Sequence, residues 1–174
     1  MSSASAVVHQ AGKVVKQPRG HVLGIDLGTT HTCVSVMDGK QPRIIPDQDG
    51  LRTTPSVVAF SAHGERVIGY PAKRQALLNP KNTVTAAKRL IGRKFDDANV
   101  QLERKTASFE IIPAANGDAW IQVADKQYSP SQIGAYLLMK MKTIAGSFLG
   151  KRFNIFRVYV YVVEMRKMKS KAGI

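Results

Sequence analysis

The sequence has little cysteine, few acidic residues and no long apolar run. Its single cysteine, Cys33, excludes a disulfide within the chain and any metal site built from several cysteines. No stretch approaches the roughly 18 consecutive apolar residues of a membrane helix, which predicts a soluble chain with no membrane partner. With 174 residues, 44% of them apolar, the chain is long enough to bury the core of one domain or of part of a larger one.

Several familiar signatures of nucleotide-binding and hydrolytic sites are also missing. There is no GxxxxGK[ST] loop and no GxGxxG segment opening a helix, which excludes nucleotide sites of the Walker and Rossmann kinds. A serine hydrolase would need a GxSxG elbow, and none is present. The four histidines lack the spacing of metal ligands, so we expect loop or surface positions for His9, His21, His31 and His63.

The shortage of acidic residues is concentrated at the two ends of the chain. The 26 basic and 12 acidic residues give a net charge of +14, to which residues 1–20 contribute +3, residues 21–150 +5 and residues 151–174 +6. The Ser/Ala-rich, acid-free leader 1–20 has the composition of an organelle transit peptide, although a disordered tail explains it equally well. The middle of the chain is therefore only mildly basic.

The tail, 151–174, mixes basic residues with aromatic ones. This composition is typical of modules that bind single-stranded nucleic acid or an acidic surface. The aromatic residues in question are Phe153, Phe156, Tyr159 and Tyr161. An incidental basic tail on an incomplete domain is the simpler interpretation, and we expect no nucleic-acid partner. The apolar run from 155 to 163 could form a strand.

Between the two ends, short apolar runs alternate with turn residues, which predicts an α/β fold with a mixed sheet, antiparallel hairpins and helices. The predicted strands are 21–25, 33–37, 43–45, 55–60, 66–68, 109–112 and 120–123. The turns between paired strands lie at Asp38-Gly39, His63-Gly64 and Asn116-Gly117-Asp118.

Two helices are predicted from periodicity and end signals. The first covers 83–91 and ends at Gly92, with Val84, Ala87 and Ile91 on its buried face. The second starts after Ser129, where proline follows the cap and Gln132 completes a capping box, and it continues to Gly150. Its apolar face comprises Ile133, Leu137, Met141, Ile144 and Phe148.

The segment GIDLGTTHT, residues 24–32, carries the best candidate for chemistry. A tight turn of one glycine and two threonines can present backbone N–H groups and hydroxyls to phosphate oxygens. Asp26, at the end of the preceding strand, could hold Mg²⁺ through water. The residues alone leave open the alternative of an ordinary hairpin, because short Gly-Thr turns are common.

Lys88 is the second candidate. It follows Val84 by four residues, so in the predicted helix its side chain projects near the buried face, from which it could reach a phosphate. A solvated lysine is the ordinary alternative, and Arg89, Arg93 and Lys94 beyond it are expected to form a solvent-facing basic end.

Five segments together resemble the start of the seventy-kilodalton heat-shock chaperones of the DnaK type. They are GIDLGTTHT, RTTPSVVAF (52–60), NPKNTVTAAKRLIGRKF (79–95), NGDAW (116–120) and YSPSQIGAYLLMKMK (128–142). The resemblance covers roughly 21–150 and is closest to the bacterial and mitochondrial branch. Long matches outside the hairpin disfavour another member of the actin and sugar-kinase superfamily.

The resemblance implies an incomplete lobe of an actin-like ATPase with a ribonuclease H-like fold, binding ATP or ADP with Mg²⁺. By the same resemblance Gly28, Thr29, Thr30 and His31 would line the first phosphate hairpin, and Asp26 would orient the hydrated Mg²⁺. Lys88 would be the catalytic residue, facing the γ-phosphate and the attacking water. His31 departs from the residue usual in the family, but that position contributes chiefly its backbone.

The resemblance also sets the expected limits of activity. The second phosphate loop, the adenosine pocket and the peptide-binding domain are not in the sequence. After about Arg152 the sequence no longer resembles the family. We therefore expect a truncated member with little ATPase activity. An unpaired sheet edge and the apolar side of the helix over 131–149 would be exposed and would favour aggregation. The family's partners are unfolded polypeptides, a J-domain cochaperone and a nucleotide-exchange factor. The expected location is a mitochondrion or a related organelle, with the cytoplasm as the alternative.

Overall fold

The computed structural model describes residues 8–10, 13–15, 23–61, 64–150 and 159–160, with backbone alone for 8–10, 13–15 and 159–160. These residues form a mixed α/β structure in which three helices and two 3₁₀ turns accompany several small sheets. A short antiparallel hairpin pairs β1 (Val8–Gln10) with β2 (Lys13–Val15).

The central sheet is built on the strands that flank the Gly-Thr-Thr turn. β3 (Leu23–Leu27), β4 (His31–Asp38) and β5 (Gln41–Ile44) form an antiparallel meander, and β6 (Thr54–Pro55) pairs with the start of β4. The predicted turn after Asp38 is confirmed. Gly39 there has φ +61°, a left-handed conformation that glycine adopts without steric cost.

Two further sheets have three strands each. β7 (Val57–Phe60) lies between β8 (Arg66–Ile68) and β9 (Thr83–Thr85), and all pairs are antiparallel. β10 (Glu110–Pro113), β11 (Ala119–Val123) and β12 (Lys126–Tyr128) form a second meander, whose first turn contains the predicted Gly117. Of the predicted His63-Gly64 turn, His63 lies outside the described residues.

The helix predicted after Ser129 is confirmed as α3 (Pro130–Leu149). The Ser129 hydroxyl accepts from the Gln132 N–H and the Gln132 side chain accepts from the Ser129 N–H, while Gly150 ends the helix in a left-handed conformation. Four of the five predicted face residues are buried, and Phe148 is largely exposed.

Helix α3 joins the two main apolar clusters of the molecule. Ile133 and Leu137 belong to the cluster that contains Val58, Val84 and Ile121, whereas Met141 and Ile144 pack with Leu23, Ile25 and Val34 of the central sheet. The apolar face that we expected to be exposed is therefore covered by this chain's own strands, and the reason for expecting aggregation from that face is wrong.

The prediction of a helix over 83–91 is wrong. Thr83–Thr85 is β9, which pairs with Val57–Ala59, and Ala86 then turns the chain with φ +52° into a single 3₁₀ turn, Ala87–Leu90. Val84, Ala87 and Leu90 are buried, while the predicted face residue Ile91 is exposed. A strand residue followed by a 3₁₀ turn reproduces the spacing of three that helical periodicity would give, and three β-branched residues in a row favour the strand.

Besides the leader hairpin β1–β2 and the strand β9, two helices and one strand were not predicted. α1 (Tyr70–Gln75) is only six residues long, α2 (Ala98–Thr106) buries a single residue, Val100, and β12 is exposed at two of its three residues. Such short or mostly exposed elements carry little apolar periodicity. A second 3₁₀ turn, Pro80–Asn82, follows α1.

Part of the tail adds a strand to the central sheet. β13 (Tyr159–Val160) pairs in parallel with β3, with Tyr159 opposite Gly24 and Val160 opposite Ile25. The possible strand over 155–163 is therefore present at least at these two residues. The remainder of the tail, including Phe153, Phe156, Tyr161 and the lysine-rich end, lies outside the described residues.

Candidate functional site

The turn between β3 and β4 consists of three residues, Gly28, Thr29 and Thr30. It brings the chain back so tightly that a Cβ atom on Gly28 would collide with the carbonyl oxygen of His31. Gly28 and Thr29 are half-buried, and Thr30 and His31 are exposed. The predicted binding residues therefore share one short loop at the end of the central sheet.

Ser56 holds this loop from the side. Its hydroxyl donates to the Gly28 carbonyl at 2.8 Å, and its backbone N–H donates to the Thr30 carbonyl at 2.8 Å. Because a serine hydroxyl has one proton, the 2.9 Å contact between the Ser56 and Thr32 hydroxyls requires Thr32 to donate. Both carbonyls at the loop's ends are thus turned toward Ser56.

The backbone N–H groups in the middle of the loop, in contrast to these carbonyls, have no hydrogen-bond partner among the described residues. Within the described part of the chain, no hydrogen bond engages the N–H groups of Thr29 or Thr30. An exposed pair of consecutive amides whose neighbouring carbonyls are tied back is the arrangement that binds anions in backbone nests. The loop therefore has the donors that phosphate oxygens require.

Lys88 reaches this loop from a distant part of the sequence. It lies in the 3₁₀ turn after β9, is half-buried, and its Nζ donates to the carbonyl oxygen of Leu27 at 2.7 Å. Leu27 immediately precedes Gly28, so a cation stands at the base of the turn. The predicted helix was wrong, yet the lysine still extends along the buried side of its element.

Asp26 lies on the face of β3 that is opposite the apolar cluster. Its side chain is exposed, and it is paired across the sheet with Cys33. The pKa of the Cys33 thiol is raised, first by partial burial and then by the negative charge of Asp26, while a hydrogen bond with the Asp26 backbone acts in the other direction. The carboxylate of Asp26 therefore acts on the same side of the sheet as the thiol, close to where β3 enters the turn.

The residues fit a hydrated magnesium ion better than a directly bound metal. No group of three or more His, Cys, Asp or Glu side chains gathers anywhere in the described ranges. A single exposed carboxylate beside a turn with free backbone N–H groups suits Mg²⁺, which keeps several of its waters. His31 is exposed at the end of the turn, and no histidine of the described ranges belongs to a metal-ligand cluster.

Sequence reasoning missed the roles of Ser56 and Thr32. Both side chains are buried hydroxyls, and their separation of 24 residues gives no local pattern from which the contact could be predicted. The only signal was that both lie within segments that carry the family resemblance, Thr32 in GIDLGTTHT and Ser56 in RTTPSVVAF. The segment RTTPSVVAF therefore has a structural role, since its Ser56 braces the turn.

Comparison with known proteins agrees with this geometry. The sequence model of the family described as Hsp70 protein matches residues 22–162. The chain is 48% identical to heat shock protein hsp-6 of Caenorhabditis elegans over 98% of its own length, and 54% identical to the mitochondrial heat shock 70 kDa protein of Solanum tuberosum over 89%. It spans 27% and 23% of the lengths of these relatives. The family match includes residues 151–162, where we expected the resemblance to have ended.

Proposed function

Because this chain belongs to the Hsp70 family, we propose that its β3–β4 turn binds the phosphates of ATP or ADP together with Mg²⁺. Family membership confirms the predicted relationship, and the mixed α/β structure agrees with part of an actin-like ATPase lobe. Hsp70 proteins are ATP-binding chaperones. The assignment of nucleotide-binding roles to residues of this chain is our proposal.

The observation that carries the proposal is the contact between Lys88 and Leu27. The two residues are 61 positions apart, yet the lysine amine lies 2.7 Å from the carbonyl at the base of the turn. The same turn presents the free amides of Thr29 and Thr30 and is too tight at Gly28 for any side chain. A cation and oriented N–H donors around one small space are what phosphate recognition needs.

Each residue then has a distinct task. The amides of Thr29, Thr30 and His31 orient phosphate oxygens, and Asp26 accepts hydrogen bonds from the water shell of Mg²⁺. Lys88 exchanges the Leu27 carbonyl for a phosphate oxygen or the attacking water and stabilises negative charge during transfer. Bound Mg²⁺ would neutralise part of the phosphate charge. Ser56 keeps the loop carbonyls away from the anion.

The rest of the proposal follows from the share of the relatives that the chain spans. We propose that residues 21–150 are a partial nucleotide-binding domain that serves chaperone function, with little turnover by this polypeptide alone. Unfolded polypeptides, a J-domain cochaperone and a nucleotide-exchange factor are the proposed partners of the complete function. The proposed location is a mitochondrion or related organelle, as the name of the potato relative suggests, with the cytoplasm as the alternative.

Isothermal titration of the whole chain with Mg·ADP and Mg·ATP tests the phosphate site. We expect saturable binding that Lys88→Gln weakens about tenfold or more, since removing a charged hydrogen bond costs roughly 1.5–3 kcal/mol. Lys105→Gln is the matched control, because Lys105 is an exposed lysine on α2. The melting temperature of each variant shows whether it folds.

The basic composition of the chain makes a second comparison necessary. Attraction of phosphates by the net charge of +14 would disappear at raised salt and would respond equally to both lysine variants. That result, or no binding at all, would contradict the proposed site. ATP turnover at the rate of a complete Hsp70 would contradict the proposed lack of activity while leaving the binding site intact.

A further inference from the structure

Two leucines are held in full contact with solvent just after α1. Leu77 and Leu78 are each 92% exposed, more than any other large apolar side chain of the described residues. Scattered exposed leucines are ordinary, but two adjacent ones at this exposure form a protruding apolar tip.

Their exposure follows from a braced backbone. Leu78 and Asn79 both donate their N–H groups to the Gln75 carbonyl, which continues the turn of α1. The Asn79 side chain then donates to the Phe60 carbonyl at 2.9 Å, and the Thr83 hydroxyl donates to the Asn79 carbonyl at 2.7 Å. On the other side Ala72 is fully buried against β7. The tip therefore projects from a hydrogen-bonded support.

The charge around the tip is of one sign. Residues 66–95 contain eight lysines and arginines and no acidic residue. Five of the eight are engaged elsewhere: Arg66 on Tyr136, Lys88 on Leu27, Arg89 on Glu103, Arg93 on Asp97 and Lys94 on Asp118. The other three have no ion pair within the described residues, and they are the three that flank the leucines in sequence: Lys73, Arg74 and Lys81.

Leu77 and Leu78 lie in the turn that follows α1, and its hydrogen bonds to Gln75 continue the coil of the helix past the two cations. Lys73 precedes Leu77 by four residues and Arg74 precedes Leu78 by four, so the charged pair lies one turn below the apolar pair. The opposite side of α1 is occupied by buried Ala72. Two almost fully exposed leucines thus lie in the chain between Lys73 and Arg74 on one side and Lys81 on the other, none of which makes an ion pair within the described residues, and we call this segment the Leu77–Leu78 tip.

We propose that the Leu77–Leu78 tip binds an anionic membrane surface, with both leucines inserted among the lipids and the cations at the headgroups. Apolar side chains inserted at the interface and lysines or arginines near anionic lipid contribute together to peripheral binding. A specific protein partner would ordinarily need an interface of about 1,200 Å² or more in total, which two exposed side chains do not offer by themselves. Hydropathy could not reveal such a site, since two residues are far shorter than a spanning run. No helix within the described ranges could cross a membrane.

Vesicle flotation with the whole chain tests this proposal. The vesicles are pure phosphatidylcholine or phosphatidylcholine with about one-third phosphatidylglycerol, and the variant is Leu77→Ser/Leu78→Ser, which leaves the charge unchanged. We expect the variant to partition onto the anionic vesicles at least about tenfold more weakly than the unaltered chain. Leu102→Ser/Met139→Ser is the matched control, because these side chains are 63% and 57% exposed on other helices.

A second measurement separates insertion from attraction by the basic tail. Leu77→Trp places a reporter at the tip, and its fluorescence should shift to the blue and be quenched by brominated lipid only with anionic vesicles. The unaltered chain, with Trp120 alone, supplies the background. Equal partition of the serine variant and the unaltered chain, an equal loss in the control pair, or no quenching of the reporter indole above background would overturn the proposal. Vesicle binding would then be assigned to the basic tail, or the tip would be assigned to a contact with a protein.

Discussion

The turn has no room for a side chain at Gly28. The backbone of Gly28 does not need a left-handed conformation, but the space where a Cβ would stand is taken by the carbonyl of His31. The constraint is steric, so every other amino acid would have to open the turn. Opening the turn would move the amides of Thr29 and Thr30 apart, and these are the proposed phosphate donors.

Gly28→Ala should therefore weaken binding of Mg·ADP by about tenfold or more, equal to about 1.4 kcal/mol, and isothermal titration measures this. The matched control is Gly39→Ala, where φ is +61° and a Cβ meets nothing within 4 Å. That change should cost about 1 kcal/mol of unfolding free energy through backbone strain and leave nucleotide affinity unchanged. Equal affinity in Gly28→Ala and the unaltered chain would count against the turn as the phosphate site.

The thiol of Cys33 reports on Asp26. Partial burial, followed by the negative charge of Asp26, raises the pKa of the thiol above its ordinary value. Alkylation by iodoacetamide, which needs the thiolate, should therefore rise with pH only at a midpoint above that of a free cysteine. Asp26→Asn removes the nearby negative charge, so the midpoint should move down while the part due to burial remains.

The rate of alkylation as a function of pH measures both effects, and Asp38→Asn serves as the control because Asp38 lies at the other end of β4. An unchanged midpoint in Asp26→Asn would show that the carboxylate does not act on the thiol.

At the scale of elements, α3 illustrates how local chemistry starts a helix that tertiary packing then uses. Its capping box is complete, with reciprocal hydrogen bonds between Ser129 and Gln132, and the two halves of its buried face contact different clusters. Helix start and core packing thus agree along twenty residues. This agreement explains why α3 could be predicted with both of its ends.

Ser129→Ala should lower the unfolding free energy by about 1 kcal/mol, because the N–H of Gln132 loses its side-chain acceptor. Ser131→Ala is the control, since the Ser131 side chain is exposed two residues into the helix and makes no described hydrogen bond. Chemical denaturation of both variants measures the difference. Equal stability of the two would mean that the cap contributes nothing measurable to the helix.

In the segment 83–90, by contrast, tertiary pairing overrode the helix that the local sequence predicts. Residues 83–85 pair with β7, and the chain then reverses through Ala86 into a 3₁₀ turn that carries Lys88. A helix would have left the edge of β7 without its partner β9. The strand satisfies the backbone groups of β7 and also orients Lys88 toward Leu27. Pairing with residues 57–59 of β7 therefore outweighed the helical periodicity of the local sequence.

At the scale of the whole molecule, the tail strand β13 covers one edge of the central sheet. Its two described residues pair with Gly24 and Ile25 of β3, the strand that leads into the Gly28–Thr30 turn. An exposed edge beside that strand would offer unpaired backbone groups to other chains. The tail therefore has a structural role that its basic composition did not suggest.

Removal of residues 151–174 should lower the melting temperature and increase self-association, because the edge of β3 loses its partner. Removal of 165–174 alone is the control, since it takes away four basic residues and leaves β13 in place. Melting curves and light scattering of the two shortened chains provide the comparison. Identical behaviour would show that the pairing of β13 with β3 adds nothing to stability.

The family, the hairpins and the second predicted helix were determined by the sequence itself, because each depends on residues that are neighbours in the chain. Gly39 and Gly117 supply positive φ at their turns, and Ser129 and Gln132 cap each other across three positions. Short contiguous motifs also carried the resemblance to the Hsp70 family. Such local chemistry requires no knowledge of the rest of the fold.

Only the tertiary structure decided how the candidate site is assembled. Ser56 meets Gly28 across 28 residues, and Lys88 meets Leu27 across 61. These contacts depend on how separate strands are placed side by side, and no local pattern encodes a separation of that size. The same holds for the Leu77–Leu78 tip, whose leucines are exposed because Ala72 and Asn79 anchor the chain on either side of them.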